Sequence, residues 1–356
     1  MSNLPTPDAA AHAAGPIAPP GPTDSAGSAA SAVSLAPLAP AAQLGVGEAV
    51  LAFDVGGTDM KSALVDRHGR LLGLRRTPTP RGGDDPADAI VAALATLARE
   101  HLAEAPDVRP VAAGVSVPGL VDERAGIGIF ASNLGWRDAP IRELAERALG
   151  LPVAFGHDVR AAGDAEHRLG AAQGYGDVVV LAIGTGIASS LVLGGRPYAG
   201  GGYAGELGHA LSDPHGERCA CGAIGCLETI ASAGAIARRY TAASGVPVRG
   251  AREVLAAAEA GDADAGRIWD DAITALAEAL ARLVAIVAPE AVVIGGGLAQ
   301  AGPALFGPLG ERLDALLSFH RRPVLLHARL GDDAGLLGTA LAARDLADSI
   351  GMEGTP

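Results

Sequence analysis

The sequence predicts an α/β protein built as two lobes. Short apolar strands alternate with segments of helical hydrophobic spacing from residue 49 to residue 347. The chain has 356 residues, and about 300 of them follow the first 48, which is enough for two lobes with cores of their own. A pattern of strand, glycine turn and strand occurs twice, at 54–65 and at 177–195. Two such hairpins in one chain are typical of a phosphate that is held from both sides.

A segment of different composition precedes the first strand. Residues 1–48 are rich in Ala, Pro, Ser and Gly and contain no Lys or Arg. Such a segment buries too little apolar surface to offset the entropy lost on ordering, so we expect a disordered tail. It also lacks the basic region with which a signal peptide begins.

Composition excludes several classes of function. The formal net charge is −13, which argues against a nucleic-acid surface because such surfaces need clustered positive charge. No window reaches the roughly 18 uninterrupted apolar residues of a membrane span. The chain has three cysteines, and their grouping suits a metal site in a reducing compartment better than a secreted disulfide scaffold. The sequence therefore predicts a cytoplasmic protein that binds neither nucleic acid nor membrane.

The first lobe is predicted over residues 49–119. Three strands form a meander, a helix follows within 85–103, and a strand at 111–117 ends at Pro118–Gly119, the expected hinge between lobes. The turn Gly56-Gly57-Thr58 comes directly after Asp54. Its glycines would let main-chain N–H groups approach a phosphate, with Asp54 placed to hold Mg²⁺ through water. A plain hairpin also uses Gly-Gly, so the motif alone leaves both interpretations open.

The second lobe is predicted over residues 120–332, and a last helix at 333–348 is expected to pack back on the first lobe. Asp158 follows a buried strand and opens a helix. An aspartate there is most often an N-cap, but ligands of α/β proteins bind in the crevice beyond the carboxyl ends of strands. Gly184-Thr185-Gly186 forms the second glycine turn. The glycines at 295–297 would either admit a flat ring or let a helix pack closely.

All three cysteines lie in one short stretch. Cys219, Cys221 and Cys226 fall within eight residues among glycines, and His209 stands ten residues before the first of them. Three thiolates and an imidazole form a closed tetrahedral set that suits structural Zn²⁺. The alternatives are buried reduced thiols, or a disulfide with one thiol left over.

Two carboxylates flank this zinc knuckle. Glu206 lies three residues before His209, and Glu228 lies two residues after Cys226. Acids in an exposed loop often serve only solvation. The functional interpretation is that the metal stiffens a wall on which both carboxylates accept hydrogen bonds from a polyhydroxylated ligand.

Eight motifs, in this order along the chain, resemble the ROK family of bacterial sugar kinases and related repressors: DVGGT, SVPGL, SNLGW, HDVRAAGDAE, AIGTGI, GELGH, CACGAIGCLE and IGGGL. The resemblance implies a two-lobed actin-like, RNase-H-like ATPase fold that closes over a hexose and ATP, with Mg²⁺ and a zinc knuckle in the larger lobe. It also implies that Asp158 matches the catalytic aspartate and that the chain forms a homodimer or homotetramer.

The resemblance assigns further residues to the site. The sugar-binding positions it implies are Gly119, Asn133, Asp158, Glu206, His209 and Glu228. The positions for ATP and its phosphates are Asp54, Gly56, Gly57, Thr58, Gly184, Thr185, Gly186 and Gly296. The metal ligands are His209, Cys219, Cys221 and Cys226.

This chain departs from the family pattern near two of these motifs. His157 and Arg160 stand where the family usually has asparagine, and Asp59 stands where a basic residue often follows the first glycine turn. The expected activity is ATP-dependent phosphorylation of a hexose at its 6-hydroxyl, with glucose as substrate and Asp158 as general base. The alternatives are a kinase for an N-acetylhexosamine, fructose or another hexose, a polyphosphate-using kinase, or a sugar-responsive repressor, which would need a basic DNA-binding module that residues 1–48 do not supply.

Overall fold

The structure is a computed structural model of the chain and describes residues 44–81 and 85–353. The predicted disordered tail at 1–48 therefore lies outside the described residues, apart from its last five. Those five differ from the prediction, because Leu44 is 8 % exposed and packs in a core cluster with the last helix of the chain. No helix in the described ranges is long and apolar enough to cross a bilayer.

The first sheet begins with the predicted meander. Strands β1 (Val50–Val55), β2 (Asp59–Val65) and β3 (Leu71–Pro78) pair antiparallel. Strand β4 (Ala112–Val117) is parallel to β1, and β8 (Val153–His157) is parallel to β4. The strand order is β3-β2-β1-β4-β8.

Between β4 and β8 the chain forms a smaller sheet that the sequence did not predict. Its strands, in order, are β5 (Leu120–Asp122), β6 (Ile127–Ala131) and β7 (Trp136–Ala139). Helices α1 (Pro86–Glu104) and α2 (Ile141–Leu149) share one apolar core with these strands and with one face of the first sheet.

These pairings correct the predicted lobe boundary. A hinge at Pro118–Gly119 would separate β4 from β8, yet the two strands are neighbours in one sheet. Gly119 instead makes a tight turn with φ +96°, where a Cβ would lie 2.4 Å from the Phe130 carbonyl oxygen. The first lobe therefore includes the small sheet and β8, up to His157.

The second lobe is organised around another five-stranded sheet, in the order β11-β10-β9-β12-β13. Its strands are β9 (Val178–Ile183), β10 (Ile187–Leu193), β11 (Arg196–Tyr198), β12 (Ala291–Gly295) and β13 (Val324–His327). Its helices are α4 (Glu228–Ala231), α5 (Ala233–Ser244), α6 (Ala251–Glu259), α7 (Ala263–Val287) and α8 (Pro303–Leu316). The helices cover one face of the sheet and form the largest core cluster.

Two helices join the sheets. Helix α3 (Asp158–Arg168) continues directly from β8, and α9 (Ala334–Glu353) packs on the face of β1 and β2 opposite α1. The two helices are in very close contact, because a Cβ at Gly338 of α9 would lie 1.8 Å from the Ala161 carbonyl oxygen of α3. On the other side of α3, a Cβ at Gly163 would lie 2.3 Å from Ser190 Oγ in β10. Helix α3 is thus fixed against both lobes.

Arg344 of α9 fastens the start of the described chain to the first lobe. Its side chain is buried, and its guanidinium donates to four carbonyl oxygens. The acceptors are those of Leu44, Gly45, Glu48 and Asp66, at 2.8 to 3.2 Å. One cation thereby satisfies backbone groups that lie about 280 to 300 residues away in sequence.

We predict that Arg344→Ala lowers the free energy of unfolding by roughly 2 to 4 kcal/mol, because it removes a buried side chain together with its four hydrogen bonds. Arg344→Lys should lower the free energy of unfolding by less. The measurement is urea unfolding followed by circular dichroism. Arg249→Ala is the control, since Arg249 has a 94 % exposed side chain and should change stability by less than about 0.5 kcal/mol. An Arg344→Ala midpoint equal to that of the wild type would contradict this role.

Candidate active site

A cleft of about 860 Å³ opens between the lobes. Residues of the first lobe, of α3 and of the second lobe line it together, and among them are Asp54, Gly56, Asp158, Gly296 and Asp333. Four of these five positions, all except Asp333, are site residues that the sequence singled out. The topology explains why Asp54 and Asp158 lie close together. Strands β1, β4 and β8 run parallel, so their carboxyl ends lie at one edge of the sheet.

Asp54 and Asp158 face the cleft as a pair of partly buried carboxylates. Burial, together with the charge of Asp158, raises the pKa of Asp54 to about 6, although the Ser116 hydroxyl donates to it at 3.0 Å. Burial also raises the pKa of Asp158 to about 6, against the opposing effects of the Val159 N–H and of Arg160. Both groups therefore titrate between their ordinary range and neutrality.

Asp158 does not cap α3. The N-cap is His157, whose ring accepts a hydrogen bond from the Arg160 backbone N–H at 3.4 Å. Burial, followed by the charge of Arg160, lowers the pKa of His157 to about 4, so the ring is neutral at physiological pH and free to accept. Asp158 is thus released from the capping role that its position in the sequence suggested.

The first glycine turn lies against the Asn133 side chain. A Cβ at Gly57 would lie 2.7 Å from Asn133 Nδ2, so the amide end of Asn133 lies directly against this turn. Asn133 belongs to the turn between β6 and β7, onto which Gly119 also packs, since a Cβ at Gly119 would lie 3.0 Å from Ala131 Cβ. The Thr79 hydroxyl fixes the glycine turn by donating to the Gly56 carbonyl at 2.7 Å.

The second glycine turn contacts Glu228 and the glycine run after β12. Glu228 Oε2 accepts from the Ile187 N–H at 2.8 Å, and a Cβ at Gly186 would lie 2.3 Å from the same oxygen. On the other side, Gly296 has φ +81° and a Cβ there would lie 2.5 Å from the Ile183 carbonyl oxygen. Close packing against the end of β9 therefore requires glycine at position 296, the second of the three glycines at 295–297.

The predicted zinc ligands form one cluster. The ligand atoms of His209, Cys219, Cys221 and Cys226 all lie within 4.8 Å of one another. Cys221 Sγ and Cys226 Sγ are 3.7 Å apart, and Cys219 Sγ is 3.6 Å from His209 Nδ1. Ligands at about 2.3 Å from a tetrahedral Zn²⁺ are separated by roughly 3.8 Å, so the cluster is compatible with a zinc site.

The flanking carboxylates lie at different distances from this cluster. Glu228 Oε1 is 4.0 Å from Cys219 Sγ, so Glu228 lies between the cluster and the second glycine turn. Glu206 precedes a 3₁₀ turn that contains His209, and its charge acts on His157, which adjoins Asp158. Glu228 therefore connects the cluster to the second glycine turn, and the charge of Glu206 acts next to Asp158.

Comparison with known proteins decides the family. The ROK family model matches residues 50–346. The chain belongs to the ROK family. It is 32 % identical to a glucokinase of Streptomyces coelicolor over 83 % of this chain and 97 % of that protein. It is 34 % identical to an N-acetylmannosamine kinase of Salmonella typhi over 83 % of this chain and 98 % of that protein.

A ROK family glucokinase from Streptomyces griseus, solved in complex with glucose and AMPPNP, has the same fold. Its TM-score with this chain is 0.68 at 30 % identity, and the match covers 83 % of this chain and 99 % of that one. The predicted two-lobed actin-like ATPase fold is thereby confirmed, and the Cys₃His cluster compatible with zinc lies in its second lobe.

The departures from the ROK pattern have structural explanations. Arg160 is buried and paired with Glu123, with 2.7 Å between Nε and Oε1. Where a basic residue often follows the first glycine turn, Asp59 uses its backbone carbonyl to accept from the Gly56 N–H at 2.9 Å. The positive charge at this turn comes instead from Arg81, whose Nη2 donates to the Gly57 carbonyl at 2.5 Å.

Sequence reasoning missed three residues at this site. They are Arg81, Glu123 and Glu166. Buried Glu166 of α3 accepts from the backbone N–H groups of Arg329 and Leu330 at 2.9 and 2.8 Å, which fixes the loop after β13 along the cleft. Each of the three acts on a backbone segment or an ion pair distant in sequence, and no local motif marks such a contact.

We predict that Asp158→Asn stabilises the folded chain near pH 8 by roughly 1 to 3 kcal/mol, because it removes a buried ionised carboxylate. The sign follows from the raised pKa. Above about pH 6 the folded state carries the cost of the charge, and below about pH 3 the carboxyl is neutral in both states, so the advantage disappears. Urea unfolding of the variant and of the wild type, near pH 8 and at the acidic pH, measures this difference in the free energy of unfolding.

Asp107→Asn is the matched control, since Asp107 is exposed on the surface and should show no such difference. A constant stability difference between Asp158→Asn and wild type across this pH range would contradict the raised pKa.

Proposed function

We propose that this chain, a hexose kinase of the ROK family, transfers the γ-phosphoryl group of ATP to the 6-hydroxyl of glucose, with Asp158 as general base. The observation that carries the proposal is the position of Asp158, which lies in the interlobe cleft with Asp54 and the first glycine turn. A carboxylate of raised pKa at such a place is suited to accept a proton from an alcohol.

The protonation state of Asp158 fits this role. With a pKa of about 6, the carboxylate is mostly ionised at neutral pH and yet more basic than an exposed aspartate. It would accept the proton of the 6-hydroxyl as that oxygen attacks the γ-phosphorus and the bond to the β-phosphate oxygen breaks. The products are a sugar 6-phosphate and ADP.

The two glycine turns are the proposed phosphate sites. The first comprises Gly56, Gly57 and Thr58, and the second comprises Gly184, Thr185 and Gly186. Because glycine leaves the backbone open, main-chain N–H groups can approach phosphate oxygens closely. Arg81 sits on the first turn, and its remaining donors are available to a phosphate. Mg²⁺ bound with ATP would neutralise charge on the phosphates, and Asp54 is the carboxylate that would hold it through water.

Gly296 is the proposed contact for adenosine. It borders the cleft and approaches Ile183, the last residue of β9 before the second glycine turn. A nucleoside lying along Gly295–Gly297 would therefore have its phosphates next to that turn. The AMPPNP bound to the Streptomyces griseus glucokinase supports a nucleotide as the donor.

The sugar is proposed to lie on the other side of Asp158. Its hydroxyls would be bound by Gly119, Asn133, Glu206, His209 and Glu228. The contact of Asn133 with Gly57 supports this, because an amide beside the first glycine turn is near the proposed phosphate site and can bind a sugar hydroxyl. Glu228 Oε2 accepts from the Ile187 N–H, and Oε1, which lies 4.0 Å from Cys219 Sγ, is the proposed acceptor for a sugar hydroxyl.

The zinc knuckle is proposed to hold this sugar wall in shape. His209, Cys219, Cys221 and Cys226 would bind Zn²⁺, which would lock the loop that carries His209 and Glu228. The path of this loop requires glycine at position 225, since Gly225 has φ +76° and a Cβ there would lie 1.5 Å from the Asp213 carbonyl oxygen.

Glucose is favoured by the glucokinase relative, whereas the N-acetylmannosamine kinase relative, at similar identity, supports an N-acetylhexosamine as the second candidate. A coupled ADP-release assay separates them. The panel contains glucose, mannose, fructose, N-acetylglucosamine and N-acetylmannosamine, each with ATP and with polyphosphate. We expect glucose with ATP to have the highest kcat/KM, and a higher value for N-acetylmannosamine would assign the chain to the second candidate.

We predict that Asp158→Asn lowers kcat roughly 10²- to 10⁴-fold, because an amide cannot accept the proton. Sugar affinity, measured by isothermal titration calorimetry, should change only a few-fold. Asp164→Asn is the matched control, since Asp164 lies on the same helix but pairs with Arg168. Near wild-type turnover of Asp158→Asn would remove Asp158 from the role of base.

We predict that the wild-type chain purifies with one zinc ion and that Cys221→Ser loses it, because three ligands hold structural zinc far more weakly than four. Mass spectrometry of the metal content measures the loss, and the KM for sugar should rise at least about tenfold as the wall loosens. His215→Ala is the control, since this histidine lies in the same loop outside the cluster. Full activity in a zinc-free wild-type chain would contradict the proposed role of the metal.

A further inference from the structure

The Glu123 carboxylate contacts the backbone before Asp158 and the Arg160 side chain after it. Glu123 follows β5, in the turn to β6. Its Oε1 accepts from the Arg160 Nε–H at 2.7 Å and from the His157 backbone N–H at 3.2 Å. A single oxygen of the small sheet therefore contacts the residue before Asp158 and the residue two places after it.

Arg160 extends this contact to the second lobe. The residue is 5 % exposed, and its Nη1 donates to the Gly202 carbonyl oxygen at 3.5 Å. Gly202 is itself pressed against β5, since a Cβ there would lie 2.1 Å from the Val121 carbonyl oxygen. Arg160 thus lies where β5, the start of α3 and the loop after β11 meet.

Each of these three segments carries part of the proposed site. The small sheet carries Asn133 in the turn between β6 and β7, α3 carries Asp158, and the loop that begins at Gly202 continues to Glu206 and His209. Relative movement of the segments would change the distance from the base to the sugar hydroxyl. A misplacement of about 1 Å in such a geometry costs roughly 10²-fold in rate.

We propose that Glu123 and Arg160 are positioning residues, an ion pair with a buried guanidinium that sets Asp158 against the two walls of the sugar site. The proposal rests on the proposed function, in which Asp158 is the base. The pair is suited to this purpose because Glu123 Oε1 accepts from both the Arg160 Nε–H and the His157 N–H, and loss of Glu123 leaves the buried charge of Arg160 without its partner. Neutral His157 completes the arrangement by accepting the Arg160 N–H.

The test is a double-mutant cycle of Glu123→Ala, Arg160→Ala and the double variant, in steady-state kinetics with glucose and with ATP varied in turn. Each single variant should lose roughly 10- to 100-fold in kcat/KM for sugar. The double variant should lose no more than the worse single variant, because the two side chains act as one unit. The KM for ATP should stay within about twofold of wild type.

Two further arms separate positioning from a general loss of structure. In the Asp158→Asn background, Glu123→Ala should cause no further loss of turnover, because the pair acts through Asp158. Arg168→Ala is the matched control, since it breaks an ion pair of the same helix with Asp345, outside the site, and should keep wild-type kinetics. If Glu123→Ala does not fold, Glu123→Gln keeps the side-chain volume, and its loss of kcat/KM should be smaller but of the same kind.

Several results would overturn the proposal. Three results would refute the role of the pair and leave the proposed function intact. They are losses of kcat/KM that multiply in the double variant, a further loss of turnover in the Asp158→Asn background, and unchanged kinetics of Glu123→Ala. A wild-type chain without turnover on any hexose of the panel would instead overturn the proposed function, and the inference with it.

Discussion

The burial of two carboxylates at one edge of the first sheet is the constraint on which the rest of the structure depends. Asp54 lies near the end of β1 and Asp158 directly follows β8, and the parallel course of these strands brings both to the same edge. Burial raises the pKa of each to about 6, so both weaken the fold when they are ionised. Apolar cores on both faces of the sheet offset this cost.

Helix α3 connects Asp158 to the other walls of the cleft. At its first turn, Arg160 reaches Glu123 and Gly202 beside the proposed sugar site. At its last turn, Glu166 holds the loop after β13, which lines the cleft on the side of Gly296. Because α9 and β10 pack against α3 at glycines, the helix has little freedom to move independently of either lobe. One rigid element therefore relates the proposed base to the sugar side and to the nucleotide side.

Sequence reasoning was reliable where the determinants are local. Helix α7, at 263–287, shows such determinants, because its apolar period is long and Asp262 caps it. The four proposed zinc ligands came from spacing alone, and the structure brings them together. The pairing of β8 with β4 was missed, since the register of two strands separated by a small sheet leaves no local signal. The roles of Glu123, Glu166 and Arg81 were missed for the same reason, as each contacts a distant backbone segment or charge.

The pH dependence of kcat/KM for the sugar tests the central claim most directly, because this parameter reports the ionisation of the free enzyme. The account predicts a fall of about tenfold per pH unit below an apparent pKa near 6, which belongs to the coupled pair of Asp54 and Asp158. A kcat/KM that stays constant from neutrality down to about pH 4.5 would contradict the claim that a buried, ionised carboxylate activates the hydroxyl.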